Sequence, residues 1–191
     1  MNKKIPSLGF IAFLLFAAAS AMADTKSLVL EAVEDGDTII VMMNGKQERL
    51  QLAGIDAPED VDNAKLKRDV KATKLDRQVL LTLGVDATSY LRSLLKRGDA
   101  LQISGNFARR DRYGRVLVVA VDGDGHSINE RMVQDGYAIV TPYGVIGAEL
   151  KAKLEPLEAD AIANRHGLWG KSRATAMVWS GRKNGSGSVS K

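Results

Sequence analysis

The chain has 191 residues, 45% of them hydrophobic and 26% charged, with no cysteine. That length suits one domain with a sizeable core, and the missing thiols exclude disulfides and lipoprotein anchoring, so the core alone must stabilise the fold. The formal net charge is +4, a weak excess that does not by itself announce a nucleic-acid partner, so any anion site must come from local placement of charge.

The first residues, Met1-Asn2-Lys3-Lys4, precede an apolar run from Ile5 to Ala19 and then Ala21-Met22-Ala23. A basic start, a short apolar middle and a small-x-small end predict a secretory signal peptide cleaved after Ala23. The run is short for a membrane span and no second one follows. The mature chain is therefore expected in the periplasm or the medium, without membrane contact after cleavage. Loss of Lys3 and Lys4 leaves 25 basic against 23 acidic residues.

Leu28 to Val33 is apolar and β-prone, and Asp37 opens a second run through Met43. Asn44-Gly45 is a strong two-residue hairpin turn, and Lys46 to Leu52 completes an antiparallel meander. At its end lies Arg49-Leu50-Gln51-Leu52-Ala53-Gly54-Ile55-Asp56-Ala57-Pro58-Glu59. Leu50, Leu52 and Ile55 follow a half-buried strand pattern, with Arg49 and Gln51 on the opposite face. Gly54 allows a bend, and Pro58 pushes Ala57 into an extended conformation, so Asp56 and Glu59 stand on a stiff turn.

Asp60 to Arg77 is highly charged without clean periodicity and reads as a loop or a short exposed helix. Asp86 to Gly98 predicts an amphipathic helix with Leu91, Leu94 and Leu95 on one face and Gly98 after a basic last turn. Ala100 to Phe107 and Arg115 to Val121 are two further strands, making five. Asp122-Gly123-Asp124-Gly125-His126 has a superficial calcium-loop look, but the later Gly and Glu of an EF-hand are missing and it reads as a turn. Ser127 caps a helix with Ile128, Met132 and Val133, ended by Gly136. Ala148 to Arg165 predicts a last helix that Pro156 should kink or break, and Trp169 is expected to pack back on the barrel or this helix. The domain is thus expected over residues 24–170, with 171–191 a flexible tail whose end, Gly181 to Lys191, is rich in Gly, Ser and Lys.

Asp37, Asp56 and Glu59 are hard oxygen donors, whereas the two histidines stand far from one another and there is no Cys. Calcium, magnesium or manganese fits this set better than zinc. Asp35 reads either as an additional ligand or as a turn residue. Arg49 and Arg115 lie at the edges of different strands, and each offers a planar fork matched to phosphate oxygens. A metal, two arginines and a free carboxylate are the parts of a phosphodiester-cleaving site. A purely structural salt-bridge network is the competing reading.

Asp35-Gly36-Asp37-Thr38, then Arg49-Leu50 through Asp56-Ala57-Pro58-Glu59, then Asp111-Arg112-Tyr113-Gly114-Arg115 occur in this order. On these motifs the chain resembles the staphylococcal nuclease (thermonuclease) family from about Leu28 to Trp169. Ile128-Asn129-Glu130 and Gly167-Leu168-Trp169 match weaker signatures. The resemblance implies an α+β, mainly β fold: a five-stranded OB-fold Greek-key barrel with about three helices. It implies an exported, Ca2+-dependent nuclease that cleaves DNA and RNA with little sugar specificity, leaves 3′-phosphate ends, prefers single-stranded or locally unpaired substrate, and acts as a monomer. Asp37, Asp56 and the Ala57 carbonyl would ligate the metal, Ala57 standing where the family often has Thr. Glu59 would be the general base, and Arg49 and Arg115 would bind the phosphate and stabilise its developing charge. Tyr113 and Tyr143 would contact the nucleotide, Tyr143 being displaced from the family pattern. The segment from Asp60 to Leu83 is longer than in the family's best-known member. The alternatives are a catalytically weak nucleic-acid-binding module of the same fold and an envelope protein working through its tail.

Overall fold

The computed structural model describes residues 24–141 and 147–182. In chain order the elements are β1 (Asp24–Val33), β2 (Thr38–Met43), β3 (Lys46–Leu52), β4 (Ile55–Asp56), α1 (Ala64–Thr73), α2 (Arg77–Leu94), β5 (Ala100–Gly105), β6 (Val116–Val121), α3 (Ile128–Gln134), β7 (Ile139–Val140), α4 (Ala148–Asn164), α5 (Gly167–Lys171) and α6 (Arg173–Ser180). The expected meander forms from β1, β2 and β3. At its hairpin Asn44 and Gly45 have φ of 52° and 74°, the doubly positive conformation of a type I′ turn.

Strand β3 then pairs in parallel with β6, and β5 pairs antiparallel with both β6 and β1, closing a barrel in the order β1-β2-β3-β6-β5. This is the expected OB-fold, α+β in class, with a separate two-stranded ribbon of β4 and β7. Alternate residues of every barrel strand face inward: Leu28 and Leu30, Ile39 and Val41, Leu50 and Leu52, Leu101 and Ile103, Val116 and Val118 share one buried cluster. The period of two explains why the strands were readable. A second cluster, with Leu66, Leu80, Leu83, Ile139, Ala161, Trp169 and Met177, lies among the helices.

The helical part is larger than expected, with six helices rather than about three among the described residues. The Asp60 to Arg77 segment contains α1, capped by Asn63, whose side chain accepts from the N–H groups of Lys65 and Leu66. Helix α2 begins well before Asp86, capped by Asp76. Gly84 falls inside it because a Cβ there would lie 2.0 Å from the Glu59 carbonyl oxygen. Helix α4 continues through Pro156. That residue is on the exposed side of the helix, where a carbonyl deprived of its partner faces water.

The expectation of a flexible tail over 171–191 is corrected up to Arg182. Helix α6 buries Ala176 and Met177. Beyond it the Arg182 guanidinium donates to both carboxylate oxygens of buried Glu158 and, at 2.9 Å, to the Val140 carbonyl. Residues 1–23, where a signal peptide is expected, Tyr143 and residues 183–191 lie outside the described residues. Among the described residues no helix is long and apolar enough to cross a membrane.

The contact at Gly84 carries a test. Gly84→Ala forces α2 and the Glu59 backbone apart and should cost ~1–3 kcal/mol, the usual penalty of overpacking. Thermal unfolding followed by circular dichroism measures it, and an unchanged melting temperature would mean that the two backbones are not in contact.

Candidate active site

Parallel pairing brings the two arginines together. Leu50 is registered with Val116, so the residues just before them, Arg49 and Arg115, reach the same end of the barrel. Asp37 arrives there as the residue before β2, and the Leu52 N–H donates to its carbonyl at 2.8 Å. Asp56 arrives on β4, which β7 holds through the pairing of Asp56 with Ile139.

Asp37 is the junction. It is 6% exposed, its Oδ1 accepts from the Thr38 hydroxyl at 3.0 Å, and its Oδ2 accepts from the Ala57 N–H at 3.2 Å. The second bond ties the start of β2 to the turn that carries Glu59. Arg115 donates through Nε to Asp111 Oδ2 at 2.9 Å and through Nη1 to Thr38 Oγ1 at 3.1 Å, with Nη1 3.9 Å from Asp37 Oδ1. Asp111 Oδ1 also accepts from the N–H groups of Tyr113 and Arg115, so one carboxylate shapes the turn and aims the guanidinium.

Arg49 is engaged differently. Its fork is bidentate on Glu34, Nε to Oε2 at 2.6 Å and Nη2 to Oε1 at 2.5 Å. That is the geometry a phosphate would take, so Glu34 stands where an anionic group would bind. Arg49, Glu34, Glu59, Lys65, Tyr113 and Arg115 line a cleft of about 430 Å³. Tyr113 is half exposed, with the Arg112 and Arg115 guanidinium carbons 4.8 and 5.2 Å from its ring centroid, a cation-π arrangement open to a stacking base.

Lys65, on the first turn of α1, did not stand out in the sequence. Its Nζ donates to the Ala57 carbonyl at 2.9 Å and lies 3.2 Å from Asp56 Oδ1 and 3.1 Å from Glu59 Oε1. The other oxygen of Glu59 accepts from the Asn63 side chain, which also caps α1. Both oxygens of Glu59 are therefore held by the start of this helix. The sequence signal that was present is the Asn63 cap two residues before a lysine.

Charge in this hollow is unbalanced. Burial pushes the carboxyls of Asp35, Asp37 and Asp56 up from their usual range, and Asp37 is raised further by Asp56 and Asp35 by Asp37. Burial opposes the charge on Lys65, but Asp56, Glu59 and Asp69 outweigh it and raise its pKa. The Asp37, Asp56 and Ala57 oxygens are hard donors, the type that would suit a calcium-class ion. Among the described residues the one trio of acidic or imidazole ligands within 4.8 Å of one another is elsewhere, at Asp122, Asp124 and His126. There Asp122 Oδ1 accepts from the N–H groups of Asp124 and His126, as a turn requires.

The expected residues Arg49, Glu59, Tyr113 and Arg115 are therefore gathered in one cleft. Asp37, Asp56 and the Ala57 carbonyl contact its lining side chains Arg115 and Lys65. Comparison with known proteins matches residues 49–171 to the staphylococcal nuclease homologue family. An uncharacterized endonuclease of Escherichia coli is 30% identical over 184 residues, covering 96% of this chain and 100% of that one. An uncharacterized protein of Methanocaldococcus jannaschii is 31% identical over 144 residues, 72% of this chain and 68% of that one. The endonuclease YncB of Bacillus subtilis is 27% identical over 146 residues, 76% of this chain and 63% of that one.

The Glu34 pair generates a prediction. Glu34→Gln releases the Arg49 fork without changing side-chain size, and should tighten binding of a short oligonucleotide in chelator about fivefold, the ~1 kcal/mol upper range of an exposed ion pair. Fluorescence anisotropy reads this, and equal affinities would show that Arg49 is not reserved by Glu34.

Proposed function

This chain belongs to the staphylococcal nuclease homologue family, and we propose that it is an exported, calcium-dependent nuclease hydrolysing phosphodiester bonds of DNA and RNA. The observation that supports this reading is one cleft lined by Arg49, Glu59 and Arg115, two of whose lining cations, Arg115 and Lys65, lie against the Asp37 and Asp56 carboxylates.

Asp37, Asp56 and the Ala57 carbonyl would hold the ion. When bound, it supplies positive charge beside the phosphate oxygens and lowers the cost of the developing dianion. Arg115, fixed at Nε by Asp111 and with Nη1 3.9 Å from Asp37 Oδ1, would bind the phosphate and stabilise its developing charge. Arg49 binds the phosphate after leaving Glu34. Glu59 takes a proton from a water on the far side of the phosphorus, and the hydroxide displaces the 5′ oxygen in line. The leaving 5′ oxygen takes a proton from solvent water, and Glu59 returns to solvent the one it took, so the products are a 3′-phosphate and a free 5′ hydroxyl. Tyr113 offers its ring face to an unpaired base, which favours single-stranded or locally unpaired substrate, and nothing in this chemistry needs a second copy of the chain.

Glu59→Gln should lower kcat on single-stranded DNA by ~10²–10⁴, the range of a positioned base, while chelation should abolish cleavage by the parent. Equal, metal-independent behaviour of both proteins would leave only a binding module. Arg115→Lys should damage turnover far more than folding, since a point charge cannot reproduce a bidentate fork. Parallel losses in melting temperature and kcat would make that arginine structural.

Export rests on the basic start, the apolar run and Ala21-Met22-Ala23. N-terminal sequencing of the protein recovered outside the cytoplasm should begin at Asp24, and a retained Met1 would overturn this.

A further inference from the structure

The cation that the acidic hollow holds in this structure belongs to the chain itself. Lys65 Nζ has three close oxygen partners, the Ala57 carbonyl at 2.9 Å, Glu59 Oε1 at 3.1 Å and Asp56 Oδ1 at 3.2 Å, one for each N–H of an ammonium. Two of the three are oxygens assigned above to the divalent ion, and the third is on the proposed base. A calcium-class ion takes such oxygens at about 2.3–2.6 Å. An ammonium at hydrogen-bond distance from the same atoms occupies the same space, so the two cations exclude each other.

We propose that Lys65 is a tethered counter-ion that competes with the divalent cation for Asp56 and the Ala57 carbonyl, so that cation binding expels it and frees Glu59 Oε1 in the same event. The inference rests on the cation site proposed above. It adds that the base is held by an ammonium until the metal arrives.

The structure supplies a place for the displaced side chain. Asp69 lies one turn further along the same face of α1, its Oδ2 already 3.8 Å from Lys65 Nζ. The Trp179 ring of α6 is 5.8 Å from Nζ, and its indole Nε1 donates to Asp69 at 3.3 Å. Rotation about the lysine's own flexible stem reaches this acidic and aromatic shelf without moving the helix. Emptying the hollow of Lys65 before a metal arrives would leave Asp37, Asp56 and Glu59 facing one another without that cation, which explains why the ammonium sits there despite its partial burial.

Two measurements on the full chain test this with calcium alone as the probe. In calorimetric titration, Lys65→Gln should bind calcium at least about tenfold more tightly than the parent, its fold verified by circular dichroism. In the unmodified parent, acylation of lysines read by mass spectrometry should show Lys65 protected in chelator and labelled in saturating calcium. Equal or weaker calcium affinity in folded Lys65→Gln, or Lys65 labelling that does not rise with calcium, overturns the competition. Cleavage of single-stranded DNA by the parent, run alongside, separates the two levels. Calcium-dependent cleavage with affinity and labelling unmoved removes the competition and leaves the nuclease reading. Failure of calcium to bind either protein removes the cation site as well.

Discussion

A half-buried hollow that contains Asp35, Asp37, Asp56 and Glu59 has to be matched by positive charge, and that requirement arranges the whole mouth of the barrel. Unlike charges 4 Å apart interact by ~4 kcal/mol at the effective dielectric of a protein surface, which is comparable with the ~5–15 kcal/mol net stability of a domain. Carboxylates crowded in this way persist only because cations come to them from separate elements: Arg115 from the turn before β6 and Lys65 from α1. Arg49 is kept at the rim on Glu34, its fork turned to a carboxylate that a phosphate resembles. Each of these cations ties its own element to a carboxylate from another part of the chain.

Much of this was legible in the sequence because it depends on short-range signals. Barrel strands announce themselves by alternation, Asn44-Gly45 by its need for positive φ, and the site by carboxylates and arginines placed at strand ends. Helix α1 was not legible, since Leu66 is its one fully buried residue and a single apolar position makes no stripe. The start of α2 lay in the charged segment and the stretch after it, and Gly84 inside the helix marks the close passage of two backbones. Helix α6 was masked by the Gly and Ser that follow it. Lys65 is one lysine among several in a charged run, and only the folded path of Pro58 to Asn63 reveals which one reaches the carboxylates.

The C-terminal part of the helical layer is tied to the site by two polar contacts. Arg182 holds Glu158 and the Val140 carbonyl, and Val140 pairs with Ile55 beside Asp56. From the other side, Trp179 bonds Asp69 and approaches Lys65. The C-terminal helix therefore braces both the strand that presents an acidic oxygen and the lysine that neutralises it. Trp169 and Met177 belong to the buried helical cluster against which Trp179 packs.

The parallel ladder between β3 and β6 joins stretches that are far apart in the chain, and contacts of that kind form late because loop closure precedes their reward. A polypeptide still emerging from the ribosome carries Arg49 and every acidic residue of the hollow before Arg115 exists beside them. Its half-built mouth lacks the guanidinium that Asp111 and Thr38 hold beside Asp37. The mouth is therefore complete only once synthesis has passed β6, the strand that lies between β3 and β5 in the closed barrel.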